Sequence, residues 1–115
     1  MSTIRFDDVG QDLRRIMISG QLDAPGANAI ASQLLEFASG PRKAVVVDLS
    51  GVRFLASVGI GALIASAKAV KGRGGKMALV VDRGSTVMMS LEATGVDQLI
   101  PVFGRIAEAE KAALA

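Results

Sequence analysis

The run Ala44-Val45-Val46-Val47 constrains the fold of this chain more than any other feature. An unbroken apolar segment of this kind suits a strand covered on both faces, as in a sheet with helices packed against it. Asp48 closes the run, and Gly51 is placed to let the chain turn. Beyond it, Ile60, Leu63, Ile64, Ala67 and Val70 recur at helical spacing. Ser57 therefore stands between the carboxyl end of a strand and the amino end of a helix. Free N–H groups and the helix dipole tolerate a phosphate at such a place.

The remaining segments continue the alternation. Ile4 to Val9 reads as a short edge strand, and Leu13 to Ser19 as a second strand with β-branched residues toward its end. Gly20-Gln21-Leu22-Asp23 reads as a turn, after which Asp23 caps a helix that has Pro25 in its first turn. Ala27, Ile30, Ala31, Leu34, Leu35 and Ala38 give that helix one apolar face, and Gly40-Pro41 stops it. The helix after Ser57 ends at Lys71-Gly72-Arg73-Gly74-Gly75. Lys76 to Val81 is another buried strand. Ser85 is placed to cap a helix running through Leu91 to Ala93 and closed by Thr94-Gly95. Leu99 to Phe103 reads as a last short strand, with Pro101 tolerated at an edge. Gly104 to Ala115 is an alanine-rich helix with Phe103, Ile106, Ala107 and Leu114 toward one side. This order predicts an α/β fold with a parallel or mixed sheet, formed as one domain over residues 1–115.

Composition removes several functions. Cys and His are both absent, which excludes disulfides, thiolate zinc sites, cysteine nucleophiles and the commonest general base. The net charge is only +2, from 13 basic and 11 acidic residues, with no basic run of the nucleic-acid-binding kind. The four aromatic residues are all Phe, too few for base-stacking platforms. No apolar stretch reaches the roughly 18 residues of a membrane span. The segment Met1 to Asp8 carries early acids and no long apolar core, unlike a signal peptide, so the expected location is the cytoplasm.

The apparent cofactor motifs fail. Gly59-Ile60-Gly61 suggests a dinucleotide turn, but Ile64 stands where the third glycine belongs. Gly75-Lys76 suggests a phosphate loop, but Val70 replaces its first glycine and Met77 its hydroxyl residue. Turns and close packing account for these glycines. The acids Asp7, Asp8, Asp23, Asp48, Asp82, Glu92 and Asp97 show no pairing for acid–base chemistry. Asp23 and Asp48, each read at the end of a strand, are the two that could approach Ser57. No cofactor, no metal and no enzymatic activity are expected.

Several segments together resemble the STAS domain family, which includes the anti-sigma factor antagonists. Asp48-Leu49-Ser50 followed by Ala56-Ser57-Val58-Gly59-Ile60 is similar to the family's central signature, with Ala56 in place of its acidic residue and Val58 in place of its second serine. Gly20-Gln21-Leu22-Asp23, Gly74-Gly75-Lys76 and Leu91-Glu92-Ala93-Thr94-Gly95-Val96 match further family turns in the same order. The resemblance implies a mixed sheet of four to five strands with about four helices packed mainly on one face. It places Ser57 on the serine that a partner kinase phosphorylates. It implies partner contacts from Gln21, Leu22, Asp23, Ser50, Ala56, Ser57, Val58 and Gly59. The implied partners are a serine kinase that acts as anti-sigma factor, and a phosphatase. No direct nucleic-acid contact and no membrane insertion are expected, and the chain is expected to be a monomer or weak homodimer.

Ser57 carries two compatible readings. As a helix N-cap its hydroxyl would stabilise the helix by roughly 1 kcal/mol. As a phosphoacceptor it would gate binding, because a phosphate adds about −1.5 to −2 charges. Val58 and Ile60 could both serve a docking patch, with core packing the stronger expectation for Ile60. The rival to a gated antagonist is an unphosphorylated STAS scaffold subunit of a stress-signalling or lipid-transport assembly. A nucleotide or small-ligand sensor is a third, weaker alternative.

Overall fold

The computed structural model describes residues 2–115. Five strands and five helices follow one another as β1 (Thr3–Val9), β2 (Leu13–Leu22), α1 (Ala24–Ala38), β3 (Ala44–Leu55), α2 (Ser57–Gly72), β4 (Lys76–Val80), α3 (Thr86–Thr94), α4 (Val96–Leu99), β5 (Val102–Phe103) and α5 (Ile106–Leu114). The strands form one sheet in the order β1-β2-β3-β4-β5. β1 pairs antiparallel with β2, and every other pair is parallel. The sheet is therefore mixed, as expected, and has all five strands.

The apolar run in β3 is buried on both faces. Val45, Val47 and Leu49 belong to the larger core with Ile16, Ile18, Leu79 and the inward residues of α1, α2, α3 and α4. Ala44 and Val46 point the other way and join Leu13, Ala78, Val80, Ala109 and Ala113 under α5. Strand alternation thus splits one apolar sequence between two cores. Four helices cover one face and α5 alone covers the other, one helix more than the expected number. The addition is α4, a single turn between Gly95 and β5. The second core is built mainly of Ala and Val, and Arg15 on β2 reaches Glu110 on α5 across its margin, with Nε donating at 2.8 Å.

Two predicted turns are strand. β2 continues through Gly20-Gln21 to Leu22, and β3 runs past Asp48 and Gly51 to Leu55. The turn-forming residues make irregularities in the ladder instead of reversing the chain. The register shifts between Met17 and Ser19 and again between Gly20 and Gln21. Gly20 has φ 103°, a backbone shape natural for glycine at such a bulge. Asp48 accepts a hydrogen bond from the Ser50 N–H at 2.9 Å, the local bond expected of an Asx turn, while pairing persists on both sides.

Helix faces follow the sequence with exceptions. In α1, Ala27, Ile30, Leu34 and Ala38 are buried, whereas Leu35 lies at the exposed edge of the predicted face. In α2, Ile60, Leu63 and Val70 are buried, and Ser66 joins them in place of Ile64 and Ala67, which are half-buried. In α5 the buried residues are Ala109 and Ala113, while Leu114 is exposed, so the predicted face is rotated. The last strand is shorter than Leu99 to Phe103 because Val96–Leu99 remains helical. Among the described residues, no helix is long and apolar enough to cross a membrane.

Ser66 is fully buried in α2 and its hydroxyl has no hydrogen-bond partner among the described residues. A buried hydroxyl without a partner is destabilising, and Ala is the better helix former. Ser66→Ala should raise the unfolding free energy by about 1 kcal/mol in urea denaturation.

At the other edge, Arg14 binds Asp8 through Nε at 2.8 Å and Nη2 at 3.1 Å, and its guanidinium lies 3.9 Å from the Phe6 ring centre. The hydrogen bond from Arg14 is the main cause that holds the Asp8 carboxyl below its ordinary 3.8, against a smaller opposing effect of desolvation. A lowered carboxyl contributes stability above its unfolded value and loses it as pH falls through the folded value. Asp8→Asn should therefore be less stable than the wild type near neutrality, and the difference should close in acid below about pH 4, as read from urea midpoints.

Candidate functional site

The extensions of β2 and β3 build one corner of the molecule. Gln21 lies opposite Phe54, and Leu22 opposite Leu55, at the carboxyl ends of these parallel strands. The Ala56 N–H donates to the Leu22 carbonyl at 2.8 Å and ties the two exits together. Each strand then enters a helix. Asp23 caps α1, its carboxylate accepting from the Gly26 N–H at 3.1 Å. α1 and α2 pack against each other, so two helix amino termini begin side by side at this corner.

The two termini differ in how their N–H groups are met. α1 has the Asp23 carboxylate. α2 begins after Ala56, which takes the extended N-cap conformation (φ −81°, ψ 167°) but offers no side-chain acceptor. Its first turn holds no acidic residue. Ser57 is thus the first helical residue and not the cap, which corrects the N-cap reading. The sequence allows either assignment because Ala56 and Ser57 differ by one register position. The structure chooses Ala56, whose N–H is already used by Leu22. The Ile60 N–H returns to the Ala56 carbonyl at 3.1 Å, which leaves the N–H groups of Ser57, Val58 and Gly59 ahead of the intrahelical ladder.

Ser57 is exposed on this terminus. Val58 beside it is 38 % exposed and Phe54 is 51 % exposed, while Gly59 and Ile60 turn inward. Ile60 is core, as expected. A Cβ on Gly59 would meet Leu55 Cδ1 at 2.7 Å and Leu22 Cβ at 3.5 Å, so its missing side chain lets α2 settle onto the strand ends. α3 approaches the same corner, where Thr86 Oγ1 donates to the Arg53 carbonyl at 3.3 Å. Met89, one turn further along α3, is 65 % exposed.

Gln21, Leu22, Asp23, Ala56, Ser57, Val58 and Gly59 are therefore brought together, with Leu22 and Gly59 as buried supports. Ser50 is not among them. It sits earlier on β3 and lines a separate cavity with Asp82, Arg83, Gly104, Arg105 and Glu108. Asp48 also stays away, within the paired part of β3 between Met17 and Val80. Phe54 joins this corner although no sequence motif marks it. Its signal is an aromatic at an outward strand position between the inward Val52 and Leu55, visible only once β3 is known to reach Leu55. Among the described residues, no cluster of carboxylates is arranged to hold a metal ion.

The corner thus carries a hydroxyl on an open helix terminus and apolar side chains, on a mixed five-stranded α/β module. The family model of the STAS domain matches residues 8–109, and the chain belongs to that family. It is 32 % identical over 94 residues to the anti-sigma-F factor antagonist RsfB of Mycobacterium tuberculosis, covering 82 % of this chain and 75 % of that protein. The crystal structure of an anti-sigma factor antagonist from Mycobacterium paratuberculosis superposes with a TM-score of 0.83 at 25 % identity, covering 100 % of this chain and 96 % of the other. The phosphorylated form of SpoIIAA from Bacillus has the same fold, with a TM-score of 0.69 at 14 % identity over 96 % of this chain and 99 % of the other.

The missing cap on α2 can be supplied. Ala56→Asp places an acceptor on a backbone already in N-cap conformation and should stabilise the protein by about 1 kcal/mol in chemical denaturation.

Proposed function

We propose that this chain is an anti-sigma factor antagonist whose binding is gated by phosphorylation of Ser57. The observation that carries the reading is the exposed Ser57 at the uncapped terminus of α2, flanked by the exposed Phe54 and Val58. In the unphosphorylated state the corner of Gln21, Phe54, Ser57 and Val58 docks on a serine kinase that also acts as anti-sigma factor. That kinase transfers the γ-phosphoryl of ATP to Ser57 Oγ, releasing ADP and a proton. A phosphatase later hydrolyses the ester and resets the domain. The domain itself binds and does no chemistry, and it acts in the cytoplasm as a module spanning the chain. The similarity to RsfB supports the antagonist role, and the description of SpoIIAA in unphosphorylated and phosphorylated forms supports the switch.

The physics of release is local. The free N–H groups of α2 hold the added charge within the isolated domain. An apolar interface closing over Ser57 cannot, because an unpaired buried charge costs several kcal/mol. Each 1.4 kcal/mol is a factor of ten in affinity, so release by about a hundredfold or more needs no change of fold.

The apolar neighbours Ala56 and Val58 favour one alternative, a STAS scaffold in which an interface covers Ser57 permanently. The same experiment separates the two. Under the switch, Ser57→Ala binds the kinase with or without ATP, Ser57→Asp binds about tenfold or more weakly, and wild type is released by ATP with one phosphate on Ser57 by intact-mass and peptide mapping. Wild type that stays bound in ATP and gains no phosphate, while the buried charge of Ser57→Asp still weakens the complex, identifies the scaffold.

A further inference from the structure

A second cavity lies toward the other end of α2, where its lining residues Ile64 to Lys71 stand roughly 10 to 20 Å from Ser57 at helical rise. This cavity of about 460 Å³ opens between the last turns of α2, the start of β4, the α4–β5 link and the end of α5. This volume falls in the range of roughly 300–1,000 Å³ typical of small-molecule sites. Ile64, Met77 and Pro101 form apolar walls, and the 67 % exposed Leu99 adds an apolar lip. Every charged residue on the lining is a lysine: Lys68, Lys71 and Lys76. Lys76 Nζ already donates to the Ala115 backbone oxygen at 2.8 Å. Lys68 and Lys71 are one turn apart on α2 and, among the described residues, neither has a carboxylate partner. A helix C-terminus accounts for Lys71 in the last turn, but not for a second cation beside it over a cavity without acids.

We propose that this cavity binds a single-chain fatty carboxylate, with the chain between Ile64, Met77 and Pro101 and the carboxylate on Lys68 and Lys71. Apolar walls alone would suit any hydrocarbon. The uncompensated lysines select an anionic head, and a volume of about 460 Å³ accommodates a single chain of medium length. The site does not depend on the Ser57 reading, since it uses neither that corner nor a partner protein.

The test is titration of the full chain with decanoate below its critical micelle concentration, read by calorimetry and by amide chemical shifts. Saturable one-site binding with shifts centred on Ile64, Lys68 and Met77 is expected. Lengthening from octanoate to decanoate should tighten binding by about fourfold for each added methylene that is buried. Decanol should bind roughly tenfold or more weakly, as should decanoate on Lys68→Gln/Lys71→Gln, since both remove a charge-assisted contact. Ala112→Leu, which adds volume at the cavity wall, should shorten the preferred chain. Binding indifferent to head charge and to both lysines would overturn the proposal. So would the absence of monomeric decanoate binding, including the case in which the lysines instead hold the protein on phosphatidylglycerol vesicles and mark a membrane contact.

Discussion

Burial of β3 on both faces is the constraint on which the rest depends. A strand with Val45, Val46 and Val47 all fully buried needs cover above and below, and the chain supplies it unequally. Four helices pack over one face, while α5 closes the other with little more than alanine. That arrangement makes β2 and β4 the neighbours of β3 and directs every parallel strand toward one edge. In open α/β sheets the carboxyl edge is where binding surfaces form, because helix termini and loops converge there. The corner around Ser57 follows from the core before any functional residue is considered.

Much of this was legible in the sequence, for identifiable reasons. Periodicities of two and 3.6 located the main elements, and Asp23 and Ser85 marked two helix starts with caps that form as expected. The failures share a cause. Gly20, Asp48 and Gly51 carry turn chemistry, yet pairing across β2 and β3 overrides it and turns local propensity into bulges. Ser66 is polar, so apolar spacing omits it from the helix face, although packing places it fully inside. Where Phe54 and Ser50 fall along β3 depends on how far the strand runs, which single-strand patterning does not determine. The cap at Ala56 in place of Ser57 is a difference of one residue, the scale at which helix boundaries are decided by tertiary hydrogen bonds.

The two helices that start at the corner meet their first N–H groups in different ways. At α1 the dipole is met by a carboxylate within the chain, so that terminus is chemically complete. At α2 the equivalent place is an alanine, and the neighbouring hydroxyl is left outward. With Ala56 at that position the terminus forgoes the stability of a cap and leaves its N–H groups to solvent.

The double shift in the β2–β3 ladder has a further consequence. β1 pairs with β2 only as far as Ser19, and β4 pairs with β3 only as far as Asp48. Beyond those points, Gly20–Leu22 and Val52–Leu55 form a ribbon two strands wide, interrupted by irregular pairing. A two-stranded extension lacks the lateral pairing of the sheet interior and depends on packing against the helices that follow it. The inward side chains of that ribbon, Leu22, Val52 and Leu55, are nevertheless sunk in the larger core. Its outward side chains, Gln21 and Phe54, are thus held out past the sheet on a ledge anchored from within.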